Sequence, residues 1–480
     1  MLAAMPSTPA LSSDRDDSGA GAPAAGPVRE RGDACPGALR LHAADDGALA
    51  RVRLPGGLLT ARQAVALARC AERLGDGRLD LTSRGNVQLR GLATGCGGTL
   101  AEALRPSGLL PSDRHDRIRN VVASPLCGLD DWRPDSGSRP DGELPAADPP
   151  APDVQTWVRE LDGLLCSDDG PADLAGLSGR FLFGLDDGRG DIVALRPDVT
   201  LIASGDGRAD LYFGTSGPGL RILAGDAPRA AVLAAAGFLA ALESGGATAW
   251  RVRELPPGRR PTTARLADRL TAAGIAHTSL PPTRLPSGEP AGPGRVTGPD
   301  GLCALSVTAP LGRLTVAQWR LVTDVAGEGS GGMRVTPWRG LVVPGLPPAK
   351  APRLLAALAD AGFVTSTASA WHGAGACAGR PGCAKSRADV RADAAAALGR
   401  RRSAGLPVYW SGCERRCGHP GGRWVDVLAA DGGYEVTERD GTWSGPARRV
   451  AAAAGPAGLA DAVAAARSGT RARTHTTIQQ

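Results

Sequence analysis

Four of the ten cysteines fall in two tight pairs, Cys377-x5-Cys383 and Cys413-x3-Cys417. Four thiolates converging on one site are what a cubane iron–sulfur cluster requires. Cys413 and Cys417 stand at i and i+4, so a single helical turn would point both sulfurs the same way. Pro381-Gly382 is expected to fold the first pair around a turn. A helix is expected from Lys385 to Leu398, its amino end just after Cys383 and suited to stabilising an anionic cluster. Structural zinc is the rival reading, although zinc pairs are usually spaced more tightly than C-x5-C. Disulfides suit a chain with secretory features, and none is visible here. Burial as a small apolar residue accounts for Cys35, Cys70, Cys96, Cys127, Cys166 and Cys303, none of which has a partner at ligand spacing.

The 480 residues that must position these thiols are enough for two to four domains. Lys350 and Lys385 are the two lysines, and nearly every other cation is arginine, which does not deprotonate and grips carboxylates in bidentate fashion. A net charge of +6 is modest for this length and does not point to nucleic acid. No apolar run reads as a membrane span, and the amino terminus lacks the apolar core of a signal peptide. A reducing cytoplasm is the expected compartment.

Residues 1–33 read as disordered. Strands are expected at Leu39–His42 and Ala50–Leu54 around an Asp45-Asp46-Gly47 turn, then a helix capped by Thr60 and running to Leu74, then two extended segments within Leu79–Leu92. This order returns further on. Pro310-Leu311-Gly312 echoes Pro55-Gly56-Gly57, and Thr315 precedes Arg339-Gly340 by the same 24 residues that separate Thr60 from Arg84-Gly85. The ordered series argues for an internal duplication. Each copy leads into a longer segment. The first has a Pro/Asp/Gly-rich loop at Trp132–Asp153, a helix at Val154–Leu165 and strand-like stretches at Arg180–Leu185, Asp191–Leu195, Thr200–Ser204 and Ala209–Phe213. The second has a helix at Ala351–Ala361, the cysteine stretch, and strands at Trp424–Leu428 and Gly433–Thr437. The expected units are 34–105 and 296–350 (ferredoxin-like α+β half-domains), 106–255 and 351–467 (α/β domains), a linker at 256–295, and a polar tail at 468–480.

These motifs resemble the sulfite and nitrite reductase family over residues 36–450. The resemblance rests on the cysteine pairs, Arg53-Leu54-Pro55-Gly56-Gly57, the stretch Leu81–Leu89 and Arg119-Asn120-Val121. It implies an α+β, internally duplicated fold in which two ferredoxin-like half-domains are each followed by an α/β cluster- or tetrapyrrole-binding domain. In that family the last cluster cysteine, here Cys417, also bridges to a sirohaem iron. Distal-face cations match Arg53 and Arg119, and a lysine pair around a phenylalanine is replaced here by Arg180-Phe181-Leu182. A pocket short of one cation is less suited to repeated protonation of a small anion.

Phe183–Gly188 and Ser411-Gly412-Cys413…Cys417-Gly418-His419-Pro420 are most similar to the family's precorrin-3B synthase branch. That resemblance implies an O2-dependent monooxygenase that hydroxylates precorrin-3A at C20 while a ring A acetate closes a γ-lactone. It implies a [4Fe-4S] cluster on Cys377, Cys383, Cys413 and Cys417 and a mononuclear non-haem iron, without sirohaem. Catalytic candidates are Arg53, Arg119 and Arg180; Arg84, Arg117, Asn86 and Gln88 are candidates for holding substrate carboxylates. His419 is a candidate iron ligand or a structural residue. The six histidines show no spacing typical of a two-histidine, one-carboxylate iron site. With no nucleotide fingerprint in the chain, a ferredoxin or an NAD(P)H-dependent reductase is the expected electron donor. A monomer is expected, since a duplicated chain makes its own pseudo-dimer. The alternatives are a sirohaem-dependent sulfite or nitrite reductase, and a non-catalytic iron–sulfur or tetrapyrrole-binding protein.

Overall fold

The computed structural model describes residues 33, 35–134, 153–170, 172–244, 249–399 and 405–469. The polar amino-terminal segment before Asp33, most of the Trp132–Asp153 loop and the tail beyond 469 lie outside them.

The duplication is visible first in the helix starts. Thr60 caps the Ala61–Leu74 helix with a reciprocal box to Gln63, and Thr315 caps Val316–Gly327 with the same box to Gln318. Each box satisfies amides that a helix start leaves without partners. Ahead of each cap lies a short 3-10 turn, Pro55–Gly57 or Pro310–Gly312, whose second residue is left-handed (Gly56 φ 59°, Leu311 φ 54°).

The half-domains exchange strands. The first five-stranded sheet runs His42–Ala44, Gly47–Val52, Val87–Leu92, Arg78–Leu81, and ends on Arg313–Thr315 of the second copy. The second runs Gly294–Thr297, Cys303–Thr308, Gly340–Leu346, Gly332–Val335, and ends on Leu58–Thr60 of the first. Gly57 makes this crossing feasible: a Cβ there would sit 1.9 Å from the Val335 carbonyl oxygen. The two capped helices pack together, Trp319 Nε1 donating to the Ala64 carbonyl at 2.8 Å, and one apolar core runs through both half-domains. Burial of that shared core, rather than helix propensity, holds the two copies together.

Each half-domain leads into a six-stranded mixed sheet. In the first, Val121–Ala123, Phe183–Asp186 and Val199–Ala203 are parallel, followed by antiparallel Arg208–Phe213, Gly219–Leu223 and His277–Leu280. In the second, Ala374–Ala376, Val408–Ser411 and Arg423–Ala430 are parallel, followed by antiparallel Gly433–Asp440, which pairs with both Trp443–Ser444 and Arg448–Ala451. Both sheets are backed by an Asp-capped helix (Val154–Cys166 on Asp153, Val390–Leu398 on Asp389) and by a closing Ala-rich helix with an early proline (Ala227–Glu243, Gly455–Arg467).

Several expectations are corrected. The segment expected as a linker contains the helix Thr263–Ala272 and the edge strand His277–Leu280, so it belongs to the first α/β domain. Ala351–Asp360 buries Ala351, Leu354 and Leu358 in the half-domain core and therefore belongs to the second half-domain. The first strand begins at His42 rather than Leu39. Val193–Leu195 is a 3-10 turn rather than a strand, because Asp186 collects the amides of Ile192 and Val193. Ala224–Glu243 is long and apolar enough, by length and composition alone, to cross a membrane, but it is a core helix, with 56% of its most apolar 18-residue window buried inside the protein.

Candidate cluster site and arginine pocket

The cysteine pairs follow two neighbouring parallel strands. Ala374–Ala376 delivers Cys377, and Val408–Ser411 delivers Gly412 and Cys413, so both pairs meet at the carboxyl end of one sheet. The Gly412 amide donates to Cys377 Sγ at 3.2 Å. Burial raises the Cys417 thiol first, and repulsion from Cys413, Cys377 and Cys383 adds to it against the Arg415 charge. Two cysteine pairs carried to the end of one sheet, with an amide aimed at one sulfur, suit a cubane cluster.

The local geometry differs from expectation in two ways. Cys413 to Cys417 is a turn rather than helix, with Arg416 left-handed at φ 46°. The following helix starts at Val390, where Asp389 caps it, and not at Lys385, so its amino end is not next to Cys383. The turn at Pro381-Gly382 is present. The cluster loop is tied to the rest of the chain by cations: Arg90 Nη2 donates to the Gly382 carbonyl at 2.8 Å, and Arg391 pairs with Asp80 at 2.9 Å while reaching the Cys377 carbonyl at 3.0 Å. Arg339 donates to the Gly418 carbonyl at 3.0 Å. Tyr409 Oη donates to the Cys417 carbonyl at 2.6 Å. His419 is exposed, stacked on Trp424 at 5.1 Å, with its Nδ1 2.8 Å from the Pro420 carbonyl; this is a bracing role.

A second constellation surrounds the Gly179 carbonyl. Arg53 Nη2 donates to it at 3.2 Å, Arg84 Nη1 at 3.4 Å and the Cys35 thiol at 3.5 Å. The position is close-packed: a Cβ would lie 3.1 Å from both Arg53 Nη2 and Cys35 Cβ. Arg53 also reaches Cys35 Sγ at 3.2 Å and Asn120 Oδ1 at 3.2 Å, and Arg51 Nη1 lies 3.6 Å from Cys35 Sγ. Burial pushes Arg84 down to about 9, with Arg251, Arg53 and Arg51 adding repulsion. Burial, then repulsion from Arg53 and Arg180, lowers Arg51. Arg180 stacks on Trp250 at 4.2 Å, and Arg251 is paired with Asp198. Among the described residues Arg51, Arg53 and Arg84 have no carboxylate partner, and Arg51 Nε and Arg53 Nε are buried without one of any kind. Buried cations without counter-charge are costly. An anion at this site would relieve them.

The remaining candidates separate from this group. Arg119 is neutralised by a bidentate pair with Asp162 at 2.7 and 2.8 Å and also donates to the Leu109 carbonyl. Arg117 is turned to Asp33 at 3.5 Å. Asn86 is an internal brace: its Oδ1 accepts the Leu54 amide at 2.8 Å and its Nδ2 donates to Asn120 Oδ1. Gln88 accepts from Arg51 Nη2 at 3.2 Å. Leu182 is buried with Val122 and Ile192, partly beneath Trp338. The sequence reading missed Arg51, Arg251, Cys35 and Trp250. Arg51 had a signal, two residues before Arg53 and hence on the same strand face; the other three had no local one.

The nitrite/sulfite reductase ferredoxin-like half-domain family matches residues 42–105 and 296–361. A ferredoxin–nitrite reductase of Synechococcus elongatus is 40% identical over 84 residues, 17% of this chain and 16% of that protein. A precorrin-3B synthase of a Sinorhizobium species is 36% identical over 97 residues, 20% of each chain. These matches thus span a fifth or less of the relatives' own length. The structure of Mycobacterium tuberculosis NirA protein superposes with a TM-score of 0.58 at 18% identity, covering 86% of this chain and 79% of that one, which is a likeness of fold.

Proposed function

Because the chain carries the paired ferredoxin-like half-domains of the nitrite/sulfite reductase family, we propose that it is an oxidoreductase of the precorrin-3B synthase type, acting on precorrin-3A and O2. The observation that carries this reading is the group of guanidiniums without carboxylate partners around Gly179: Arg51, Arg53 and Arg84, with Arg180 and Arg251 beside them. A carboxylate-rich tetrapyrrole supplies the missing negative charge through paired, charge-assisted hydrogen bonds. Trp250, already stacked under Arg180, offers an apolar face for a macrocycle edge.

In the reaction one oxygen atom enters the substrate at C20, and the other leaves as water with two protons and two electrons from a ferredoxin or reductase. A [4Fe-4S] cluster held by Cys377, Cys383, Cys413 and Cys417 supplies single-electron transfer when bound. The chain's own part is to bind and orient: Arg53, Arg51 and Arg84 fix carboxylates, and the Asn86–Asn120 bridge keeps Arg53 in place. Arg119, matched by Asp162, supports the pocket wall rather than touching substrate. A mononuclear iron finds no two-histidine, one-carboxylate set among the described residues, so no step is assigned to it.

The test is anaerobic purification with iron, sulfide and haem analysis, followed by turnover of precorrin-3A with a ferredoxin system under 18O2. Cluster absorption without sirohaem bands, and one labelled oxygen retained in product, is the expected result. Unlabelled product rejects the oxygenase. Sirohaem bands with nitrite or sulfite turnover establish the alternative reductase, which the nitrite reductase match favours. An intact cluster with no turnover of any of these substrates leaves the electron-transfer reading.

A further inference from the structure

The duplication extends beyond the half-domains and places a second ligand-rich loop opposite the cysteine site. Ser124 follows the strand Val121–Ala123 as Cys377 follows Ala374–Ala376. In the neighbouring parallel strand Ala123 pairs with Leu185 and Ala376 with Trp410, so Asp187 stands where Gly412 does. The hydrogen bonds repeat. The Ser124 amide donates to the Leu185 carbonyl at 3.1 Å, and the Cys377 amide to the Trp410 carbonyl at 3.0 Å. The Asp187 amide donates to Ser124 Oγ at 3.1 Å, and the Gly412 amide to Cys377 Sγ at 3.2 Å. Ser124 Oγ is the counterpart of a cluster thiol.

Around it the first copy gathers oxygens instead of sulfurs. Ligand atoms of Asp186, Asp187 and Asp191 all lie within 4.8 Å of one another, and all three residues are buried. Asp191 is 1% exposed; its Oδ1 accepts from Ser124 Oγ at 2.7 Å, and its Oδ2 is buried with no hydrogen-bond partner. Asp186 accepts the amides of Gly188, Gly190, Ile192 and Val193. Asp187 pairs with Arg189, which Asp130 shares. The one guanidinium is thus divided between Asp187 and Asp130, and the charge of the inner carboxylates is left over. Burial first, then the Asp186 charge, pushes Asp191 up to about 7.

We propose that Ser124, Asp186, Asp187 and Asp191 form an oxygen-ligand site for a hard divalent cation, in the place that the cysteine loops take in the second copy. The change of donor sets the change of guest: carboxylate and hydroxyl oxygens suit Mg2+, Mn2+ or Ca2+, and thiolates suit iron–sulfur clusters. Asp191 Oδ2 is the free donor, while four amides hold the Asp186 carboxylate and Arg189 holds that of Asp187 as the neighbouring oxygens.

Mn2+ is the probe. The cluster-loaded full chain, stripped with EDTA and desalted, is titrated with Mn2+ while free ion is followed by electron paramagnetic resonance. One Mn2+ per chain is expected at sub-millimolar affinity, weakened at least tenfold in Asp191→Asn and several-fold in Ser124→Ala, with iron content and circular dichroism unchanged. Failure of the wild-type chain to bind Mn2+ up to millimolar concentration overturns the proposal. So does equal binding by wild type and both variants. If Asp191→Asn does not fold, the wild-type titration and Ser124→Ala decide.

Discussion

Arg84 and Arg339 occupy equivalent positions in the two copies yet hold different carbonyls. Arg84 Nη1 reaches the Gly179 carbonyl in the arginine pocket at 3.4 Å, and Arg339 Nη2 holds the Gly418 carbonyl beside Cys417 at 3.0 Å. The same turn thus reaches the Gly179 carbonyl in the first copy and braces the Gly418 carbonyl of the cysteine loop in the second. Arg339→Ala should therefore speed the loss of iron to a chelator several-fold while leaving tetrapyrrole binding intact. Arg84→Ala should do the reverse, weakening tetrapyrrole binding at least tenfold at unchanged iron content. Iron release and fluorescence titration read the two effects separately, and equal behaviour of the two variants would show that the positions have not diverged.

The four thiols proposed to hold a cluster should differ from the other cysteines in what their loss removes. Cys377→Ala and Cys413→Ala should each abolish most cluster absorption, with iron and sulfide falling together. Cys70→Ala and Cys303→Ala, which alter buried core positions, should leave both at wild-type levels. Full iron and sulfide in Cys413→Ala would remove the site from Cys413.

Arg119→Ala addresses structure rather than chemistry. It strips Asp162 of a bidentate partner and leaves the Leu109 carbonyl unmatched, an expected loss of about 3 kcal/mol in chemical denaturation. A variant as stable as wild type but with impaired turnover would return Arg119 to the catalytic group.

His372 gives a pH dependence. Burial, then the Arg467 guanidinium, holds it below its usual 6.5. The unfolded chain therefore binds a proton between the lowered folded value and 6.5 that the folded chain refuses, and stability rises with pH through that window. Wild type should lose stability on acidification below about 6.5 more steeply than His372→Gln. Urea midpoints at pH 5.5 and 7.5 measure this; parallel changes in both proteins would assign the acid sensitivity elsewhere.

The capping boxes test the duplication itself. Thr60→Ala and Thr315→Ala should each cost about 1 kcal/mol. Thr60 and Thr315 share no partner, so in one cooperative unfolding of the common core the double variant should lose the sum of the two. Two separate transitions, each moved by only one of the substitutions, would indicate that the half-domains unfold independently.

The features legible in the sequence were those set by neighbours along the chain. Thr60 with Gln63 and Thr315 with Gln318 specify helix starts through local hydrogen bonds, and the shared 24-residue spacing to Arg84 and Arg339 exposes the duplication. The cysteine pairs are equally local, because short loops after adjacent strands must bring them together. Arg53 and Arg84 were recognisable by motif. What tertiary structure alone decided involves groups far apart in sequence. Arg119 found Asp162, Cys35 joined Arg53 and Gly179, and Leu58–Thr60 crossed into the partner half-domain's sheet. Ser124 became the counterpart of Cys377 through strand register rather than residue likeness. Which cation stays without a counter-charge, and which carboxylate oxygen is left without a donor, depends on burial and long-range packing. Those determine where the chain can hold a ligand, and no local pattern encodes them.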